Sequence, residues 1–211
     1  MARTDPLTLD QLAELARKSL DNALDLLDES DGLIAFGKFP RGYSVAILAG
    51  EEFGKFMMCQ GAVGNLPGDE AFWRSFWKRF SSHDEKAVNF TSMVGHVVED
   101  DEQRRWFMEN LEKHVEVDQA RKFAGLYVDV ALDGTVITPR EAIDSDWAKG
   151  VAYVLGTFIR SHAEMWEGVD FHDVYREAQS GARQMVEALR TGDPDTIAAT
   201  WDSTLGRQDA E

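Results

Sequence analysis

The stretch from Pro40 to Val63 constrains this chain more than any other, because it reads as a largely apolar helix with charge at its centre. A helix that is apolar on most of its circumference has to be enclosed by other elements. Within "AILAGEEFGKFMMC", residues 46–59, Glu51, Glu52 and Lys55 interrupt that pattern. Helical neighbours lie three and four positions apart. For Glu52 these are Leu48, Ala49, Lys55 and Phe56; Glu51 lies on the adjoining edge, beside Ile47, Leu48, Lys55 and Met58. A buried carboxylate without a partner is strongly destabilising or takes up a proton. Lys55 reaches back to both glutamates, and a cation from another helix would complete the balance. Two readings follow: a surface-edge salt bridge of Glu51 with Lys55, contributing ~0.3–0.5 kcal/mol, or a polar site in a bundle interior with Glu52 as its carboxylate.

The rest of the chain supplies helices to enclose this one. Thr8 with Gln11 forms a capping-box pattern, followed by Leu9, Leu12, Leu15, Ala16, Leu20, Ala23, Leu24 and Leu27 at helical spacing. Gly32 and Gly37 predict a break or bend between Ser30 and Phe39, with Pro40 opening the second helix. A third helix begins near Asp69 with "EAFWRSFWKRF"; Ser82 and Glu85 either lie within its continuation or cap a new one. A charged helix spans about 101–122, and two more are expected at about 145–166 and 170–190, with Asp193-Pro194 opening a short last one. "GLYVDVALDGTVITP" is the only β-like segment, with a turn at Asp133-Gly134 that predicts a hairpin or extended insertion near 126–138. The expectation is one all-α domain over residues 1–211.

Composition excludes several classes. A net charge of −16 argues against broad nucleic-acid binding, although a local basic site is compatible with it. The single cysteine, Cys59, excludes an internal disulfide and a thiolate metal site. No Glu-x-x-His occurs, as a di-metal carboxylate bundle would require. No phosphate-binding glycine loop occurs either, so neither a metal nor a cofactor is expected. No apolar run approaches a membrane span, and a cytoplasmic, soluble protein is expected.

Three segments together resemble the AbiV family of bacterial abortive-infection proteins. "SVAILAGEEFGKF" resembles that family's Glu-Glu-x-Gly-Lys helix. "FWKRFSSHDEKAVNF" resembles its aromatic helix leading to a His and a Lys, here His83 and Lys86. "GLYVDVALDGTVITP" resembles its Leu-Tyr-Val-Asp segment and following Pro, here Leu126, Tyr127, Val128, Asp129 and Pro139. The resemblance covers about residues 8–165, leaving C-terminal helices at about 169–205. It implies a HEPN-like helical bundle, phage defence by halting host metabolism (translation above all), a homodimer, and an activator from phage or host.

Many HEPN proteins are ribonucleases, and metal-independent RNA cleavage needs an acid/base and a cation for the phosphate, tasks suited to His and Arg. The resemblance implies an Arg followed by His after four to six residues. Of the five histidines, only His83 comes near this, with three residues between it and Arg79. The candidate catalytic set is therefore His83, Arg79, Lys86 and Glu52, with Glu51, Lys55, Lys78, Tyr127 and Asp129 as binding residues. Glu52 is expected to approach Lys86 or Arg79. His83 is equally readable as a solvated or capping residue. Trp73, Phe76, Trp77 and Phe80 read as core at helical spacing, or as RNA-stacking surfaces; residues 72–80 are also the preferred dimer interface. Beside a ribonuclease, the sequence leaves open a non-catalytic inhibitor that docks a basic protein partner and a structural or nucleotide-sensing bundle.

Overall fold

The structure, a computed structural model, describes residues 3–96 and 100–191. Helix α1 (Leu9–Ala35) opens on the expected capping box, with the Gln11 N–H donating to Thr8 Oγ1 (3.2 Å) and the Thr8 N–H to Gln11 Oε1 (3.0 Å). It runs unbroken through Gly32 and ends in a Schellman motif at Gly37, where Gly37 and Lys38 N–H groups donate to the Ile34 and Leu33 carbonyls. The break thus falls inside the expected window. After this turn α2 (Phe39–Ala62) folds back along α1, and Ser30 Oγ, fully buried, donates to the Gly42 carbonyl at 2.8 Å.

Of the 24 residues of α2, 14 are buried, which makes it the enclosed helix of the bundle. Around it stand α1, α4 (His83–His96), α6 (Leu111–Ala124) and α8 (Ser145–Glu164). Phe53, with no exposed surface, packs edge-on against Phe90 of α4 and Phe158 of α8 at 5.9 and 5.8 Å between ring centroids. Burying a ring of this size contributes about 1.5–3 kcal/mol. α9 (Phe171–Thr191) packs on α1, and α5 (Asp101–Glu109) on α4. The short last helix expected from Asp193-Pro194, and Trp201, lie outside the described residues.

α3 (Glu70–Ser81) turns its aromatic face inward. Trp73, Phe76 and Trp77 are buried, and the indole N–H groups of Trp73 and Trp77 donate to the Pro67 and Asp5 carbonyls, each at 2.8 Å. These rings are core, as their spacing suggests. The same burial leaves Trp73, Phe76 and Trp77 unavailable for stacking on RNA or for packing against a second copy. The β segment is a two-stranded antiparallel hairpin, β1 (Asp129–Val130) and β2 (Val136–Ile137), with Asp129 opposite Ile137. It leads into α7 (Pro139–Ala142), and every other regular element among the described residues is a helix, so the fold class is all-α.

Candidate functional site around Glu51

Two close helix contacts create the site. A Cβ on Gly54 would stand 2.2 Å from the Lys86 carbonyl oxygen, so only glycine lets α4 approach α2 this closely. Likewise a Cβ on Gly125, at the end of α6, would stand 2.3 Å from Ser44 Oγ. Ser44 Oγ donates to the Lys122 carbonyl at 2.8 Å, fixing the end of α6 against α2. α3 and α4 are separate helices: Ser82 is extended (φ −84°, ψ 127°), and its Oγ accepts the Glu85 N–H at 3.3 Å. Arg79 and His83 are consequently not one turn apart on a continuous helix.

At the junction of α2, α4 and α6 lies Glu51, only 2 % exposed. Its Oε1 accepts from Lys122 Nζ at 2.5 Å and from Gln119 Nε2 at 2.9 Å. Its Oε2 accepts from His83 Nδ1 at 2.6 Å, with Lys86 Nζ at 3.7 Å. Lys122 and Lys86 are themselves buried. Burial pushes the Glu51 carboxyl up, but hydrogen bonds from Lys122, His83 and Gln119 more than offset this and hold it below its ordinary value. Burial lowers the Lys86 ammonium, and Glu51 opposes that shift.

The carboxylate also settles the imidazole tautomer. An ionised carboxylate only accepts, so the proton facing it belongs to Nδ1 of His83. In the neutral ring, Nε2 then carries a lone pair. The His83 side chain is 57 % exposed, so the arrangement is a solvent-facing imidazole oriented from below by a buried carboxylate. Two lysines stand against one carboxylate at this centre, which leaves a positive balance beside His83.

Glu52, the sequence's choice for the interior carboxylate, lies on the adjoining edge and pairs with Lys55 at 2.5 Å. Its charge acts on Lys86, but the direct ion pair of Lys86 is to Glu51. Adjacent helical residues point about 100° apart, and here the register places Glu51, not Glu52, inward. Arg79 is half-exposed and meets Glu85 (3.4 Å) and Asn89 (3.3 Å). Lys78 is exposed on α3. Tyr127 and Asp129 stand on the hairpin segment, Tyr127 exposed and Asp129 accepting the Val130 N–H, and the structure does not bring them to Glu51.

Two members of the group, Gln119 and Lys122, are not among the residues the sequence singles out. Their signal is a shared face: Val115, Gln119 and Lys122 recur at helical spacing and are the buried residues of an otherwise charged helix. Among the described residues no group of three or more His, Cys, Asp or Glu side chains could hold a metal ion, and no helix is long and apolar enough to cross a membrane.

Fold and site together define a helical bundle built around a polar Glu–Lys–His cluster on its enclosed helix. The family model described as AbiV matches residues 11–157, and the chain belongs to this family of HEPN-type abortive-infection proteins. No curated protein and no solved structure matches it significantly.

Proposed function

We propose that this protein is an abortive-infection effector that halts host translation in the cytoplasm by cleaving RNA at His83. The observation that carries this reading is the 2.6 Å hydrogen bond from His83 Nδ1 to the buried Glu51 carboxylate. A histidine so held presents Nε2 as a base of fixed direction. In the proposed step Nε2 takes the proton of a ribose 2′-hydroxyl, and the freed oxygen attacks the adjacent phosphorus. The proton then passes to the departing 5′-oxygen, leaving a 2′,3′-cyclic phosphate. Lys86 and Arg79, cations of the α3–α4 junction, offset the phosphate charge, and Lys55 is held nearby by Glu52. Family membership supports the defence role and is the ground for expecting a homodimer and an activator from phage or host.

The test is cleavage of total RNA and tRNA in EDTA by the purified protein and its His83→Ala variant. General acid–base catalysis contributes roughly 10²–10⁴-fold, so the variant is expected to cleave at least ~100-fold more slowly. Cleavage unchanged by the substitution overturns the assignment. No cleavage by either protein favours a second reading, a non-catalytic inhibitor that docks a protein partner. That reading draws on the hairpin, where Tyr127, Val130, Leu132 and Val136 are exposed, and on the net charge of −16.

A further inference from the structure

Behind the Glu51 cluster the bundle is not filled. A half-open cavity of about 670 Å³ lies among α2, α4, α5, α6 and α8. Protein interiors hold few voids larger than a water molecule, whereas small-molecule sites typically measure ~300–1,000 Å³. Its walls are mainly apolar, formed by side chains such as Ile47, Phe90, Val94, Phe107, Val151 and Leu155. Glu51 and Gln119 form part of one wall, so the cavity backs directly onto the candidate site.

The polar groups in this lining differ in how far they are satisfied. Glu51 and Gln119 are committed to the lysine and histidine cluster. Asp146 is paired with Lys149, and the Arg121 guanidinium lies over the Trp147 ring at 4.5 Å from its centroid. Asp118 is different. Its Oδ1 accepts the Tyr43 hydroxyl at 2.9 Å, and among the described residues it forms no ion pair. His114 and Arg121 are the cationic or titratable groups whose charge acts on it, and burial still holds its carboxyl above the ordinary value. A second polar atom of the lining, His114 Nε2, is buried without a hydrogen-bond partner among the described residues.

We propose that this cavity is a binding site for a small, largely apolar molecule carrying a protonated amine, with Asp118 as the carboxylate that receives the amine. The apolar walls take the body of the ligand, and the unpaired carboxylate selects the sign of its head group. The site is distinct from the solvent-facing side of His83, and its occupancy is measured without RNA.

The experiment is calorimetric titration of the full chain with phenethylamine and, separately, with phenylacetate, which has a similar aromatic body and the opposite charge. Phenethylamine is expected to bind with Kd below ~1 mM, at least tenfold more tightly than phenylacetate, and Asp118→Asn is expected to remove that preference. Equal affinity for the two compounds, or no saturable binding of phenethylamine at ~1 mM, overturns the proposal. Gly150→Phe provides a second variant: Gly150 of α8 is an exposed residue of the cavity lining and a Cβ there meets nothing within 4 Å, so a large side chain can be attached to this wall without a clash at its root. It is expected to melt no lower than the parent and to bind phenethylamine at least tenfold more weakly. Undiminished binding by a folded Gly150→Phe protein places the ligand elsewhere and also overturns the assignment.

Discussion

Glu51 and Glu52 are neighbours in sequence with unlike tasks. Among the described residues Glu51 is the one carboxylate paired with the buried Lys122 ammonium, so Glu51→Gln leaves that cation without this counter-charge. Breaking a buried pair by removing one partner costs about 3–5 kcal/mol, and this is the expected loss in urea unfolding. Glu52→Gln breaks a partly exposed pair in which Glu52 and Lys55 are 18 % and 21 % exposed, and the expected cost is at most ~1 kcal/mol. Equal losses for the two variants would contradict the division of roles. Charge inside an apolar helix is plain from the sequence, which leaves open whether Glu51 pairs with Lys55 at a surface edge or a cation from another helix balances an interior carboxylate. Which of two adjacent glutamates faces inward is a matter of rotation about the helix axis. That rotation is set by partners on α6, whose Gln119 and Lys122 look like part of a solvated charged helix until Val115 and Gly125 are read with them.

At the scale of elements, the site depends on how closely backbones pass. Gly54 brings the Lys86 backbone against α2, and so controls the placement of both Lys86 and His83 at the start of α4. Gly54→Ala forces a Cβ into a carbonyl oxygen that cannot rotate away, and is expected to cost ~1–3 kcal/mol and to reduce any His83-dependent RNA cleavage. Gly61→Ala, on the same helix, is the matched control. A Cβ there meets nothing within 4 Å, so this change is expected to leave stability unchanged or raise it by up to ~1 kcal/mol in the same unfolding series. The start of α1 was legible because the Thr8–Gln11 cap acts locally. Ser82 with Glu85 left a cap and a continuing helix equally open, and the charged stretch expected as one helix over about 101–122 is divided at Asn110 into α5 and α6. The helix-to-helix approach was not legible, since a glycine in a sequence does not say which distant backbone will occupy the space it leaves.

For the whole molecule, the buried carboxylate links stability to acidity. Glu51 has its folded-state pKa depressed below the ordinary 4.5, so it binds protons less readily folded than unfolded. Its contribution is therefore present above pH ~4.5 and is lost as pH falls toward the folded-state value. Thermal melts are expected to show a steep fall in Tm below about pH 4.5, shallower in Glu51→Gln, which has no carboxyl to protonate at this position. Parallel acid limbs would deny Glu51 this part in the pH dependence. The all-helical class and the hairpin were readable because apolar spacing and the Asp133-Gly134 turn are local signals. The closure of the bundle by α6 and the cavity beside it arise only when distant segments meet.

The partners of Glu51 stand far from it along the chain, 32 residues away for His83, 68 for Gln119 and 71 for Lys122. A ribosome making this protein therefore releases the histidine and its carboxylate well before the lysine that neutralises it. A nascent chain that has not yet extended past α6 lacks the cation and helix that close the site. The Glu51 site is thus assembled only once α6 has been made, not from α2 and α4 alone.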